Sequence, residues 1–135
     1  MKRRELRQHV FEMLFGVEFI SAEEMEEQQK LYLENLKEEK EVSAQDEAYI
    51  CEKCKKIVEM LPKLDEEINE SAKGWKTSRM GKVELTILRL AVYEMNHDED
   101  VPVGVAINEA VELAKQYGQD DSPAFINGIL GKASK

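Results

Sequence analysis

Residues 83–130 read VELTILRLAVYEM, a short polar loop, then VPVGVAINEAVELAKQYGQDDSPAFINGIL. Apolar residues recur there at three- and four-residue intervals, as in the stripe Gly81, Leu85, Leu88, Val92 and Met95, which is the period of an α-helix. The runs are punctuated. Pro102 stands ahead of Val103, Gly118 follows the second run, and Asp121–Ser122–Pro123 open the third, each a start or stop signal with a backbone reason. Three successive amphipathic helices must bury their stripes on one another. No alternating apolar–polar segment of useful length occurs elsewhere in the chain, so the expected class is all-α.

The remaining sequence divides in the same way. A first helix is expected from about Arg3 to Phe19, with Leu6, Val10, Met13, Leu14 and Val17 toward the core. Ser21 with Glu24 fits a capping box for an acidic second helix fading near Lys40. Ser43 can cap a third ending at Leu61, Pro62 suits the first turn of a fourth, and Gly74 closes it. A connector over 75–79 leads to helices at about 80–96, 103–118 and from Asp121 or Ser122 onward. The expectation is about seven helices in two packed bundle-like halves, 1–61 and 62–135, of one domain.

No apolar run approaches the ~18 residues needed to span a bilayer, and the charged opening MKRREL lacks the apolar core of a signal peptide. A cytoplasmic location is expected. The net charge is −9, which argues against a general nucleic-acid coat protein, because phosphate neutralisation supplies most of such affinity. The charge is segregated. Residues 1–8 hold four cations (Lys2, Arg3, Arg4, Arg7) and one acid, whereas residues 22–47 hold ten acids and three lysines. Composition fits either a targeted RNA binder or a pattern that only serves solubility.

Cys51 and Cys54 form a C-x-x-C, which in other settings binds zinc or does redox chemistry. Zinc needs four ligands, no second cysteine pair exists, and the two histidines, His9 and His97, are remote in sequence. No strand precedes the motif, as a thioredoxin-type site requires. Ile50, Cys51, Cys54, Ile57, Val58 and Leu61 form one apolar stripe, so core cysteines are the expected reading and no metal or other cofactor is assigned. Asn108 and Glu109 are adjacent on a helix and diverge by about 100°, so they cannot act on one atom. Gly128 reads as a site of close helix packing. No nucleophile–base pair or phosphate loop is present, and an enzyme is not expected.

The first helix carries the sharper signal. Arg4, Arg7, Phe11 and Phe15 follow one another at spacings of three, four and four on the side expected to be opposite the core stripe. An exposed aromatic beside guanidinium groups offers stacking for unpaired bases and neutralisation for phosphates. Phe11 turned inward against another helix would be the structural alternative.

The runs ILRLAVYE (87–94), VAINEAVELAK (105–115) and FINGIL (125–130), with RRELRQHVFEMLF (3–15) at the start, resemble the NusB family of transcription antitermination factors. The resemblance implies an all-helical protein that binds boxA RNA of ribosomal RNA leader transcripts as a heterodimer with NusE, a small-subunit ribosomal protein. That pair would help RNA polymerase resist termination. It places RNA binding on Lys2, Arg3, Arg4, Arg7 and Phe15. Glu5 stands where the family usually has another basic residue, and Leu6 where a small one is usual. Glu84, which lies off the apolar stripe and is expected to be exposed, and Asp121 fall in the family's region facing NusE. From the residues alone Asp121 is read first as a plain N-cap whose carboxylate satisfies backbone N–H groups.

Two other readings remain open: an acidic protein–protein adaptor with little intrinsic RNA affinity, and a homodimer that hides the RNA face. RNA-methyltransferase relatives carry a similar domain, but 135 residues leave no room for that activity.

Overall fold

The structure, a computed structural model, describes residues 1–16 and 22–133. Among the described residues there are seven α-helices, one short 3-10 helix and no strand. The chain forms two compact units, Met1–Glu59 and Met60–Lys135.

The first unit comprises α1 (Arg3–Phe15), α2 (Ala22–Glu39) and α3 (Ala44–Glu59). Helix α1 packs mainly on α3 and more lightly on α2. Leu6, Val10, Phe11 and Leu14 meet Ile50, Cys54 and Ile57 as the unit's buried apolar set, joined by Met25, Leu33 and Leu36 of α2. Ser43 caps α3 as its position suggests, accepting the Asp46 backbone N–H on Oγ at 3.0 Å. The expected continuation of the first helix to Phe19, the core placement of Val17 and the Ser21 cap lie outside the described residues.

The second unit comprises α4 (Leu61–Ser71), the 3-10 helix Thr77–Arg79, α5 (Lys82–His97), α6 (Val103–Tyr117) and α7 (Ser122–Ala133). Helix α5 is its axis and packs on α4, α6 and α7. It is buried on most of its circumference, from Leu85 through Met95 with only Arg89 half-exposed, which is why its sequence is apolar nearly all round rather than along one stripe. Arg89 leaves that core toward α4, where Asp65 receives its Nε and Nη2 in a two-pronged pair, both at 2.8 Å.

Two glycines are explained by close approach. At Gly118, which follows α6, an added Cβ would sit 2.7 Å from the Ala114 carbonyl oxygen and from the Ser122 side chain. Its φ is −94°, so crowding and not a left-handed backbone requires glycine there. Gly74 is the opposite case: its φ of 88° favours glycine and nothing crowds it. Gly128 does not serve close helix packing, since a Cβ there would meet nothing within 4 Å. It lies on the exposed side of α7.

Candidate nucleic-acid interface

The first turn of α1 presents Lys2, Arg3 and Arg4 to solvent. The N-terminal ammonium of Met1 is tied to Asp46 Oδ2 at 2.9 Å, which fixes where this cationic end leaves the unit. That ammonium also holds the Asp46 carboxyl below its ordinary pKa. Glu5 accepts a hydrogen bond from the ammonium of Lys40, just beyond α2, and is likewise held below the usual carboxylate range. Lys37 pairs with Glu47 at 2.9 Å. Three acids at this end of the unit are therefore each matched to a cation, while Lys2 and Arg3 enter no ion pair among the described residues. Glu5, the acid that interrupts the basic run, is largely offset by Lys40.

Arg7 and Phe11 correct the expected orientation of α1. Arg7 is only 6% exposed and Phe11 only 2%, so neither lies on an open face. The reason is the width of the buried arc. With α3 and α2 both against it, α1 buries Leu6, Arg7, Val10, Phe11 and Leu14, an arc of about 140° on a helix turning about 100° per residue. Arg4 and Phe15 lie just beyond the edge of that arc. They stand on one strip of the helix surface about 16 Å apart along the axis, given a rise of about 1.5 Å per residue. Phe15 is 38% exposed and its ring lies 6.1 Å from that of Phe11 at a 40° tilt. The buried ring thus braces the exposed one. The resulting geometry has a cationic end, an aromatic end and a guanidinium buried between them.

His9 lies half-buried on another side of α1. Its Nδ1 is 2.6 Å from the Tyr32 hydroxyl, which donates to Glu12, and burial pushes the imidazole pKa down. It adds no charge to the surface at neutral pH. Cys54 is fully buried and its thiol is pushed up to about 12 by burial, while Cys51 is half-buried and also raised. Neither pairs with the other. No group of three or more His, Cys, Asp or Glu side chains that could hold a metal ion occurs among the described residues. No described helix is long and apolar enough to cross a membrane.

In the second unit, Glu84 and Asp121 behave differently from expectation. Glu84 is half-buried rather than exposed. Its Oε1 accepts the Ser122 hydroxyl at 2.7 Å, and its other oxygen folds back over Gly81, where a Cβ would come within 2.5 Å of it. The start of α7 returns beside the start of α5, which the periodicity of either helix alone cannot reveal. Ser122 Oγ also accepts the Gln119 backbone N–H at 2.9 Å, so one serine hydroxyl bridges both helix starts. Asp121 is exposed and occupies the N-cap position, its carbonyl accepting Phe125 N–H at 3.1 Å. Its carboxylate, expected to cap α7, enters no hydrogen bond or ion pair among the described residues. Of the two, Asp121 and not Glu84 carries an exposed, uncommitted carboxylate.

The described helices define the class as an all-α protein whose first helix carries a solvent-facing cationic turn at one end and an exposed ring at the other. The comparisons narrow the class to a family. The NusB family model matches residues 4–135. The chain is 50% identical over 132 residues to the transcription antitermination protein NusB of Agathobacter rectalis and 47% identical to that of Lachnoclostridium phytofermentans, covering 98% of this chain and of the relative in each case. A solved structure of T. maritima NusB superposes with a TM-score of 0.84 at 33% identity, covering 99% of this chain and 91% of that one. The same fold recurs, at 22% identity and a TM-score of 0.79, in a crystal structure of antitermination factors NusB and NusE in complex with dsRNA, with 97% of this chain and 94% of that one covered. The chain belongs to the NusB family.

Proposed function

We propose that this chain is a transcription antitermination factor that binds boxA-type single-stranded RNA of ribosomal RNA leader transcripts together with NusE, and in that complex helps RNA polymerase resist termination. The observation that carries the reading is the surface of α1, with Lys2, Arg3 and Arg4 exposed at one end and Phe15 at the other. Family membership supports it, since relatives at 50% and 47% identity carry the antitermination name. The work is binding rather than catalysis, carried out in the cytoplasm where transcripts emerge.

The cations neutralise backbone phosphates and fix the strand along the helix. The Phe15 ring offers a stacking surface for an unpaired base. Arg7, buried beside Phe11, contributes by holding that edge of α1 in place, and is the weakest of the five assigned RNA contacts. The net charge of −9 discourages RNA from settling on the acidic surfaces, so a short basic surface confers location as well as affinity. Asp121 faces the basic partner NusE with Glu84 behind it, where electrostatic complementarity favours encounter and register.

The burial of Arg7 leaves a smaller basic surface than the sequence suggests, which favours as second reading an adaptor whose RNA affinity depends on its partner. Titration of labelled boxA RNA, and of a base-scrambled RNA of equal length, with and without NusE decides between them. Preference for boxA that NusE strengthens is the expected result. Equal binding of both RNAs with NusE present would refute the RNA-recognition reading and leave the adaptor.

A further inference from the structure

Between Glu70 and Glu84 the chain has no acid and four cations, Lys73, Lys76, Arg79 and Lys82, around its single tryptophan. In a protein of net charge −9 such a stretch is a local reversal of sign. Lys73, Lys76 and Arg79 are exposed, and none of the three enters an ion pair or hydrogen bond through its side chain among the described residues. Lys73 follows α4 and suits the negative end of that helix. Lys76 and Arg79 lie beyond it and gain nothing from that dipole.

Trp75 sits in the middle of this stretch and is 55% exposed, the most of any large apolar side chain described. Its position is fixed. Gly74 turns the chain with a φ of 88°, Trp75 N–H donates to the Ala72 carbonyl at 2.8 Å, and Thr77 N–H donates to Asn69 Oδ1 at 2.8 Å. The Phe125 ring meets the indole edge-to-face, 5.4 Å between centroids and 80° between planes. With 55% of its surface exposed, the indole stays accessible beside that ring. Beside it lies a cleft of about 640 Å³ lined by Asn69, Ala72, Gly74, Trp75, Lys76 and Arg79. With Asn69 Oδ1 committed to Thr77, its amide NH₂ remains a donor in that cleft.

We infer that the Trp75–Lys76–Arg79 cleft is a second binding site for single-stranded nucleic acid, in which an unpaired base stacks on the Trp75 indole and the flanking phosphates lie against Lys76 and Arg79. The aromatic face suits any base, the cations suit the backbone, and the Asn69 amide adds a neutral hydrogen-bond donor for a base edge. An acidic peptide would satisfy the charges but leave the indole face unused. The site stands on its own residues and does not depend on the assignment of α1.

The tryptophan is the reporter. The full-length protein is titrated at low salt with an unstructured oligouridylate while indole fluorescence is followed, in parallel with an abasic oligonucleotide of equal length and with polyglutamate. Binding of labelled oligouridylate is measured by anisotropy for Trp75→Ala, Trp75→Phe, the double variant Lys76→Ala/Arg79→Ala and the triple variant Lys2→Ala/Arg3→Ala/Arg4→Ala, with circular dichroism confirming the helices. The expected result is saturable quenching by oligouridylate and not by the abasic strand. Trp75→Ala should weaken binding by about fivefold to a hundredfold, Trp75→Phe by less, and the double variant should lower the log–log salt slope by roughly 1.4. Absence of quenching, equal quenching by polyglutamate, or wild-type affinity in both Trp75→Ala and the double variant would overturn the inference. Loss of binding only in the triple variant would do so too while sustaining the α1 reading, whereas loss only in the cleft variants would overturn the α1 reading instead.

Discussion

A guanidinium that is 6% exposed cannot reach a phosphate without first leaving its own contacts, so Arg7 and Arg4 should separate under mutation. Arg7→Ala removes a buried polar group from among its neighbours and should lower folding stability by about 1–3 kcal/mol. Arg4→Ala, at an exposed position, should stay within about 0.5 kcal/mol of wild type yet weaken RNA binding. Urea unfolding midpoints and RNA titrations of the two variants check this, and a stable Arg7→Ala with lost RNA affinity would reverse the assignment. The cysteines differ in a similar way. Burial raises both thiols, Cys54 to about 12, so the neutral thiol is the form the fold favours. Stability from Cys54 is then complete below the pKa of an unfolded thiol and is lost as pH rises through about 12. At pH 8 an alkylating reagent should modify half-buried Cys51 first and reach Cys54 only as the protein unfolds; mass mapping of the modified protein reads the order, and equal rates would contradict it.

Among the elements, α5, α6 and α7 are the most legible in the sequence, because each has a long apolar period and the runs are punctuated by Pro102, Gly118 and Asp121–Ser122–Pro123. The rotation of α1 is not. Leu6, Val10 and Leu14 mark one margin of its buried arc, but the other margin at Arg7 and Phe11 depends on how two neighbouring helices lie against it. Pairings distant in sequence were equally hidden. Glu5 meets Lys40 at a separation of 35 residues and Glu84 meets Ser122 at 38, and no local pattern encodes either. The latter link has a consequence for partner binding. Glu84→Gln disturbs the Ser122 bridge and should cost about 1 kcal/mol of stability as well as any partner contact, so it confounds the two roles. Asp121→Asn keeps an acceptable N-cap and removes an exposed charge, so it should leave thermal unfolding unchanged while weakening association with NusE. Calorimetric titration of both variants with NusE tests this, and wild-type affinity for Asp121→Asn would move the partner surface elsewhere.

For the whole molecule the governing feature is charge placement. A chain of net charge −9 repels RNA in general, so attraction comes from local groups of cations, and boxA recognition is assigned to those at the start of α1. Each phosphate contact to single-stranded RNA contributes roughly 0.7 to the slope of log affinity against log salt concentration. The most direct measurement is therefore the salt dependence of boxA RNA affinity, with NusE present, for wild type and for Arg3→Ala/Arg4→Ala. The account predicts weaker binding and a slope reduced by roughly 1.4 in the double variant, with unchanged helix content. An affinity and slope equal to those of wild type would contradict it.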